Sequence, residues 1–269
     1  MKILVLGDVV GAPGRIALKK KLPEILENKD IDFSVINGEN AADDGKGITK
    51  EIAEEFFLLG IDVITSGNHI WDKDETTKYI ENESRLLRPA NLVDGSPGKG
   101  FGIYFSKNNK HRIGVINLMG NVFMKKTNDV FTTAKEIKKK IILKKTVDFS
   151  IIDFHGEITS EKMAIGNLFD GHATLVVGTH THVPTNDARI LKNGTGYITD
   201  AGMCGDYESV IGMDLDNSLN KFLKKKSLKH FPSKGPASLC GVVVECDINN
   251  GLAKNIESFV FGGSLKNNF

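Results

Sequence analysis

Residues 33–69, "FSVINGENAADDGKGITKEIAEEFFLLGIDVITSGNH", decide the fold because they contain one complete strand–helix–strand unit. The apolar runs at its two ends have the length and the valine and isoleucine content of buried strands. Between them, "TKEIAEEFFLLG" has helical spacing, with Thr49 as a candidate N-cap and Gly60 as the end of the helix. Two strands joined by a helix predict a parallel pair in an α/β sheet.

Similar apolar runs recur on both sides of this unit. They are "KILVLGD", "RIGVINLMGN", "FSIIDFHGE", "TLVVGTHTH", "GYITDAG" and "CGVVVECDI", and further helical stretches are "GRIALKKKLPEILENK", "DKDETTKYIENE" and "VFTTAKEIKKKIILKK". Strand–helix alternation in the first half predicts βαβ units, and the strand-rich second half predicts antiparallel strands that complete the sheet. Because no repeat, linker or composition shift divides the chain, we expect residues 1–269 to form a single domain.

The composition excludes several protein classes. The 269 residues are 40% hydrophobic and 26% charged with a net charge of +1, which argues against a general affinity for nucleic acid or membranes. Three cysteines without C-x-x-C spacing argue against a disulfide framework and a zinc knuckle. No run approaches the roughly 18 to 20 apolar residues of a membrane helix, and Asp8 interrupts the N-terminal run before any signal-peptide cleavage site. We therefore expect a cytoplasmic protein without a membrane partner.

Two lysine-rich runs, residues 135–145 and 224–231, allow two interpretations. They could form a patch for nucleic acid, or they could be solvated faces with Ile137, Ile141 and Ile142 turned inward. Because the net charge is close to zero, we favour solvated faces and do not expect nucleic acid as a partner.

Five of the strand-like runs end in residue types that bind metals. These are Asp8 after the first run, Glu39 and Asn40 after the second, Asn68 and His69 after the third, His155 after the fifth, and His180 and His182 after the sixth. In open α/β sheets, ligands bind beyond the carboxyl ends of the strands, where side chains distant in the chain converge. Four of the seven histidines fall in these positions, which indicates a metal centre.

Each piece taken alone also has a structural explanation. Asp8 could cap the helix that follows it, and Glu39 and "SGNH" could belong to turns. His155 could be a hydrogen-bonded core histidine, and the H-x-H pair of His180 and His182 could lie in a surface turn. Chance convergence of all five pieces at one sheet edge is a poorer explanation than a shared site.

The motifs "GD", "NGEN", "GNH", "FHGE" and "GTHTH", in this order, resemble those of the calcineurin-like metallophosphoesterases. With "GDVVGAPGR" and "DAGMCG" they are most similar to the bacterial YmdB-like subfamily of 2',3'-cyclic-nucleotide 2'-phosphodiesterases, over essentially the whole chain. The resemblance implies a four-layer αββα sandwich, in which two mixed β-sheets are flanked by helices. It also implies a homo-oligomer.

The resemblance further implies two divalent metal ions, with iron as the first expectation and manganese or zinc as alternatives. One ion would be held by Asp8, Glu39 and His182. The second would be held by Glu39, as a bridge between both ions, together with Asn40, Asn68, His155 and His180. Three histidines favour such metals over magnesium, which prefers oxygen ligands.

The chain departs from the wider superfamily at two motifs. The usual first motif is Asp-x-His, whereas the third position here is Val10, which cannot bind a metal. The usual second motif carries a bridging Asp followed by Gly, and Glu39 and Asn40 occupy that region here. The same substitutions mark the YmdB-like subfamily, so they favour the narrower resemblance and leave the identity of the first metal open.

The implied activity is hydrolysis of a small-molecule 2',3'-cyclic nucleotide to a 3'-nucleotide by attack of a metal-bridged hydroxide. His69 would be the general acid that protonates the departing ribose oxygen. Asp72 would either orient His69 or cap the following helix. Two rival functions stay open: a broader phosphomonoesterase or protein phosphatase, and a regulatory RNA- or protein-binding module with a structural metal site.

Two glycine-rich stretches have weaker implications. In "GDVVGAPGR" the glycines lack the G-x-G-x-x-G spacing, and Asp8 would repel a pyrophosphate, so a dinucleotide site is not expected. We expect Arg15 to be solvated, and residues 94–105 could shape the mouth of the pocket. Core packing, rather than stacking on a base, is the expected role of the aromatic residues Tyr104, Phe105 and Phe123.

Overall fold

This computed structural model describes residues 1–225 and 229–268, which form twelve β-strands and six α-helices. The strands are β1 (Lys2–Val10), β2 (Phe33–Asn40), β3 (Val63–Thr65), β4 (Phe101–Phe105), β5 (Arg112–Met119), β6 (Phe149–His155), β7 (Leu175–Thr179), β8 (Arg189–Ile190), β9 (Gly196–Ile198), β10 (Met203–Asp206), β11 (Ala237–Cys246) and β12 (Ala253–Phe261). The helices are α1 (Gly11–Asn28), α2 (Lys50–Leu58), α3 (Asp74–Asn82), α4 (Val130–Lys138), α5 (Thr159–Phe169) and α6 (Leu215–Phe222).

The strands form two mixed sheets of six strands each within the described residues. In the first sheet the order is β12-β11-β10-β1-β2-β3, with β1 parallel to β2 and β10, and β11 antiparallel to β1 and β12. The order in the second is β4-β5-β6-β7-β9-β8, with four parallel strands between two antiparallel edge strands. The parallel strands of each sheet therefore present their carboxyl ends at one edge.

Alternating side chains of β1 show how the sheets are covered on both faces. Ile3 and Val5 join a buried cluster that includes Phe149 of the second sheet, so this cluster lies between the sheets. Leu4 and Leu6 point the other way and join a cluster with buried residues of α1 and α2. A third cluster lies between the second sheet and the helices α4 and α5. The order helix, sheet, sheet, helix is the expected four-layer αββα sandwich, and it explains why the strands are continuously apolar.

Most of the predicted elements are present. All eight apolar runs form strands, and the Thr49 side chain caps α2 by accepting a hydrogen bond from the Ile52 N–H. Helix α4 ends at Lys138, earlier than predicted, because the Thr146 hydroxyl group holds the following segment in a turn. Helices α5 and α6 and the strands β4, β8, β10 and β12 were not predicted. Half-buried or exposed residues interrupt the apolar runs of the edge strands β4, β8 and β12.

The structure also tests the expectations for the lysine runs, the cysteines and membrane-spanning helices. In the lysine run 135–145, Ile137 and Ile141 are buried, Ile142 is half-buried, and most of the lysines are exposed, so this run is a solvated face. Residues 226–228 of the second run lie outside the described residues. The cysteines are free and buried. Among the described helices, none combines the length and the apolar character needed to span a bilayer.

Candidate active site

All eight side chains singled out from the sequence lie together where the strands of the two sheets end. Asp8 is on β1, Glu39 and Asn40 end β2, and His155 ends β6. Asn68 and His69 follow β3, and His180 and His182 follow β7. Contacts shorter than 4 Å join the eight residues into one connected group.

The Nε2 atom of His155 is surrounded by three potential acceptor atoms. It lies 2.9 Å from Glu39 Oε1, 3.2 Å from Asn68 Oδ1 and 3.0 Å from His180 Nδ1. A single ring N–H cannot serve three acceptors, whereas a cation held between these atoms would satisfy all of them. Ligand atoms of Glu39, His155 and His180 lie within 4.8 Å of one another, close enough to hold one metal ion.

Asp8 supplies a second indication of a cation-binding site. Its carboxylate is fully buried, and Oδ2 accepts a hydrogen bond of 3.1 Å from the His180 backbone N–H. Oδ1 has no hydrogen-bond partner among the described residues, and His155 Nδ1 and His182 Nε2 lie 3.6 and 3.9 Å away. Asn40 Oδ1 also faces His182 Nε2, at 3.3 Å. A buried carboxylate oxygen without a partner is costly, and a divalent ion among these groups would remove the cost.

Hydrogen bonds on the far side of two imidazole rings fix their orientation. His182 Nδ1 donates to the Ile211 carbonyl oxygen at 2.8 Å. His155 Nδ1 lies 3.0 Å from Thr179 Oγ1, which donates to Asp153 Oδ1 at 2.7 Å. Because the threonine proton goes to Asp153, the threonine oxygen accepts from His155. Both histidines therefore present Nε2 to the site, as metal ligands do.

Burial and the charges of neighbouring side chains shift the pKa values of several residues in the group. Burial raises the pKa of Asp8 to about 6. Burial would also raise the pKa of Glu39, but His155 and a backbone N–H outweigh it and lower the pKa to about 2. Burial would lower the pKa of His155, but Glu39 and Asp8 outweigh it and raise the pKa to about 9. Burial, together with His155, lowers the pKa of His180 to about 3. The arrangement stores a proton on His155, which a metal ion would displace.

The H-x-H segment is held in an unusual backbone conformation. His180 and His182 have positive φ angles of 97° and 66°. Asp200 stabilises this segment by accepting hydrogen bonds from both the N–H and the hydroxyl group of Thr181. Asp200 also forms a buried ion pair with Lys162, at 2.6 Å. Because His182 is buried and the His180 side chain is largely covered, the segment is not an ordinary surface turn.

Gly67 lets β3 approach the group closely. A Cβ atom at this position would overlap the Glu39 carboxylate and the His155 ring. Glycine is therefore required in "SGNH" for space, whereas its φ angle is not in the positive range.

His69 is positioned from two sides. Its backbone N–H donates to Glu39 Oε2 at 3.0 Å, and its Nδ1 atom lies 2.7 Å from Asp72 Oδ2. Helix α3 begins with Lys73 at its N-cap, so Asp72 does not cap the helix and instead orients His69. Lys125 lies 3.5 Å from Asp72 Oδ1 and makes a further ion pair with it.

Three local interpretations of the sequence are wrong. Asp8 does not cap α1, whose N-cap makes no side-chain hydrogen bond. Arg15 is largely covered and donates to the Asp43 carboxylate at 2.6 Å, so it is not a solvated side chain. Core packing is wrong for Phe105 and Phe123, which are 58% and 86% exposed, because one lies on an edge strand and the other is turned outward by a positive φ of 62°.

A cavity of about 310 Å³ opens at the group, and its lining includes Glu39, Asn40, His69, His180 and His182. The lining also includes three ionisable residues that were not predicted, namely Lys46, Lys221 and His230. Lys46 stands six residues after Asn40 in the "AADDGKG" loop, which is a local signal, whereas Lys221 and His230 are brought in from a distant part of the chain.

Comparison with known proteins gives consistent matches. The family model described as "YmdB-like protein" matches residues 4–259. The chain is 44% identical over 257 residues to the 2',3'-cyclic-nucleotide 2'-phosphodiesterase of Bacillus subtilis (strain 168), and the match covers 96% of each protein. The crystal structure of a phosphatase from Mycoplasma pneumoniae superposes with a TM-score of 0.89 at 36% identity, covering 97% of this chain and 93% of that one. A 5'-nucleotidase from Candida albicans SC5314, only 11% identical, shares the fold, with a TM-score of 0.55 over 96% of this chain and 50% of that one.

Proposed function

The chain belongs to the YmdB-like family, and we propose that it is a dinuclear metal-dependent phosphodiesterase that hydrolyses 2',3'-cyclic nucleotides to 3'-nucleotides. The Bacillus subtilis relative bears the name of this activity. The observation that carries the proposal is the crowding of Glu39, Asn68 and His180 around His155 Nε2, next to the unpartnered oxygen of Asp8.

The donor set suits two divalent ions that share one carboxylate. We assign the first ion to Asp8, Glu39, Asn40 and His182. We assign the second to Glu39, Asn68, His155 and His180. Asn40 was expected with the second ion, but its amide oxygen lies next to His182 Nε2. Mixed nitrogen and oxygen ligands favour iron, manganese or zinc, and we propose iron. Bound there, the ions would neutralise phosphoryl charge and activate a water molecule.

His69 is the proposed general acid. Its backbone N–H donates to Glu39, and its Nδ1 atom is hydrogen-bonded to Asp72. The Nε2 atom would therefore donate the proton to the departing ribose oxygen. The Asp72 carboxylate holds the orientation of the ring that would donate the proton. His69 lines the cavity in which the substrate would lie.

The proposal is tested with purified protein whose metal content is measured and whose turnover is assayed on 2',3'-cyclic AMP. We expect formation of 3'-AMP, and we expect His69→Ala to keep its metal content while losing about 10²- to 10⁴-fold in kcat. His172→Ala, at an exposed histidine away from the cavity, is the matched control. Full activity of His69→Ala would transfer the acid role to another group.

Parallel assays separate the rival functions. Faster turnover of a phosphorylated peptide than of 2',3'-cyclic AMP would favour a phosphatase. RNA binding without hydrolysis at full metal loading would favour a regulatory module. A cytoplasmic location and a homo-oligomeric state stay predictions.

A further inference from the structure

Lys46, Lys221 and His230 line the same cavity as the proposed metal ligands but have no role in the mechanism above. Both lysines are exposed, and neither forms an ion pair with a carboxylate within residues 1–225 and 229–268. Two unpaired ammonium groups at one cavity create a positive potential that attracts anions.

The backbone on both sides of His230 is held by hydrogen bonds, and one nitrogen of its ring has no hydrogen-bond partner in the described residues. Its Nε2 atom is buried and has no hydrogen-bond partner in the described part of the chain. On one side of it, Asn217 Nδ2 donates to the Lys229 carbonyl oxygen at 3.0 Å. On the other side, the Asp214 N–H donates to the Phe231 carbonyl oxygen at 3.0 Å. The backbone around His230 is thus anchored to the start of α6, and the free nitrogen is available to a ligand.

The residues on both sides of Lys46 are hydrogen-bonded to proposed metal ligands. Asn40 Nδ2 donates to the Gly45 carbonyl oxygen at 2.9 Å, and the Gly47 N–H donates to the Glu39 carbonyl oxygen at 2.5 Å. The loop that carries Lys46 therefore keeps a fixed relation to the metal centre.

The three groups also lie close enough to influence one another. Burial lowers the pKa of His230, and the charges of Lys221 and Lys46 lower it further. A neutral imidazole in the same cavity as two ammonium groups can accept or donate a hydrogen bond without adding charge.

We propose that Lys46, Lys221 and His230 form a subsite for a second phosphate of the substrate, attached at the 5' position of the nucleotide whose 2',3'-cyclic phosphate meets the metal centre. This inference rests on the proposed function. Two ammonium groups offset the charge of a phosphate, and His230 supplies a hydrogen bond. Val10, Ile211 and Met213 supply apolar lining for the sugar and base, and a cavity of about 310 Å³ is large enough for a small ligand.

The 5' phosphate could be terminal or could be the linkage to a preceding nucleotide. Three substrates separate these sources: adenosine 2',3'-cyclic phosphate, its 5'-phosphorylated form, and a diadenosine dinucleotide that ends in a 2',3'-cyclic phosphate. We expect the 5'-phosphorylated form to be preferred by about tenfold in kcat/KM over the plain nucleotide, as for a hydrogen-bonded charged group. A similar preference for the dinucleotide would show that the subsite accepts the linking phosphate of an RNA end. Without that preference, the subsite would accept only a terminal 5' phosphate.

The variants Lys46→Met and Lys221→Met are expected to abolish most of this preference, measured as the ratio of the two kcat/KM values. Lys225→Met, at an exposed lysine outside the cavity lining, is the matched control and should keep the ratio. Added salt should reduce the ratio in the wild type, because screening weakens attraction between exposed charges.

A binding titration tests the subsite independently of turnover. Adenosine 3',5'-bisphosphate should bind the metal-loaded protein about tenfold more tightly than adenosine 3'-monophosphate, and Lys221→Met should remove the difference. Equal affinities for the two compounds would overturn the subsite. Failure of the wild type to hydrolyse any of the three cyclic substrates would instead overturn the proposed function, while the titration would still decide the subsite.

Discussion

Thr179 Oγ1 lies 3.0 Å from His155 Nδ1, and its hydroxyl group donates a hydrogen bond of 2.7 Å to the buried carboxylate of Asp153. Thr65 and Asn37, from the first sheet, donate to the other oxygen of the same carboxylate. A polar network buried between the two sheets therefore sets the tautomer of a proposed metal ligand. Such outer hydrogen bonds orient a histidine and increase its basicity toward a metal.

Thr179→Val should weaken metal binding while the overall fold is kept. The substitution removes the acceptor of His155 Nδ1 but keeps the shape of the side chain, so the ring loses its fixed tautomer. We expect about 10- to 100-fold lower affinity for Mn²⁺, measured by calorimetric titration of the metal-free protein.

Thr174→Val is the matched control for this prediction. Thr174 is also buried, immediately before β7, and its hydroxyl group donates to the Gly251 carbonyl oxygen away from the site. It should cost similar stability and leave Mn²⁺ affinity intact. Equal losses of affinity in both variants would show that Thr179 acts on the fold alone.

Lys162→Met should destabilise the protein by about 3 kcal/mol, because it leaves the Asp200 carboxylate buried without its cation. Unfolding in urea measures the effect. Lys254→Met breaks an ion pair of 3.4 Å with Glu245 on the exposed edge of the first sheet and should cost less than about 1 kcal/mol. Similar midpoints for both variants would mean that the buried pair adds no more than an exposed one.

The sequence predicts the site residues that stand at strand ends, but not those that contacts with distant segments bring into the site. Asp8, His155 and His180 could be placed together because each stands at or just beyond the end of an apolar run, and parallel strands end at one edge. Asp153 can be recognised in the sequence as an acid inside "FSIIDFH". Its hydrogen bond with Thr179 could not be predicted, because it depends on the pairing of β6 with β7. His230 gives no local signal, because a distant loop anchored to α6 brings it into the cavity. The edge strand β12 was missed because solvent-exposed polar residues interrupt its apolar side.

The native protein should resist thiol labelling at alkaline pH. Burial raises the pKa of Cys240 and of Cys246 to about 12 and raises that of Cys204 as well. A raised pKa keeps the reactive thiolate scarce, so at pH 8.5 fewer than one in about a thousand of these thiols is ionised. We expect slow iodoacetamide labelling followed by mass spectrometry in buffer, and rapid labelling of all three cysteines in urea. Rapid labelling of any of them without denaturant would show that its surroundings open.

Gly67→Ala should disable the site without unfolding the protein. The added Cβ would overlap both the Glu39 carboxylate and the His155 ring, so two proposed ligands must move apart. A displacement of this kind near reacting groups costs on the order of 10²-fold in rate, and we expect at least that loss in kcat on 2',3'-cyclic AMP together with reduced metal content. Gly196→Ala is the control, because a Cβ there meets its nearest neighbours, Ala253 Cβ and the Thr174 carbonyl oxygen, at 3.3 Å, away from the cavity. If Gly67→Ala retained full metal content and turnover, the close approach of β3 to these two side chains would have no part in building the metal centre.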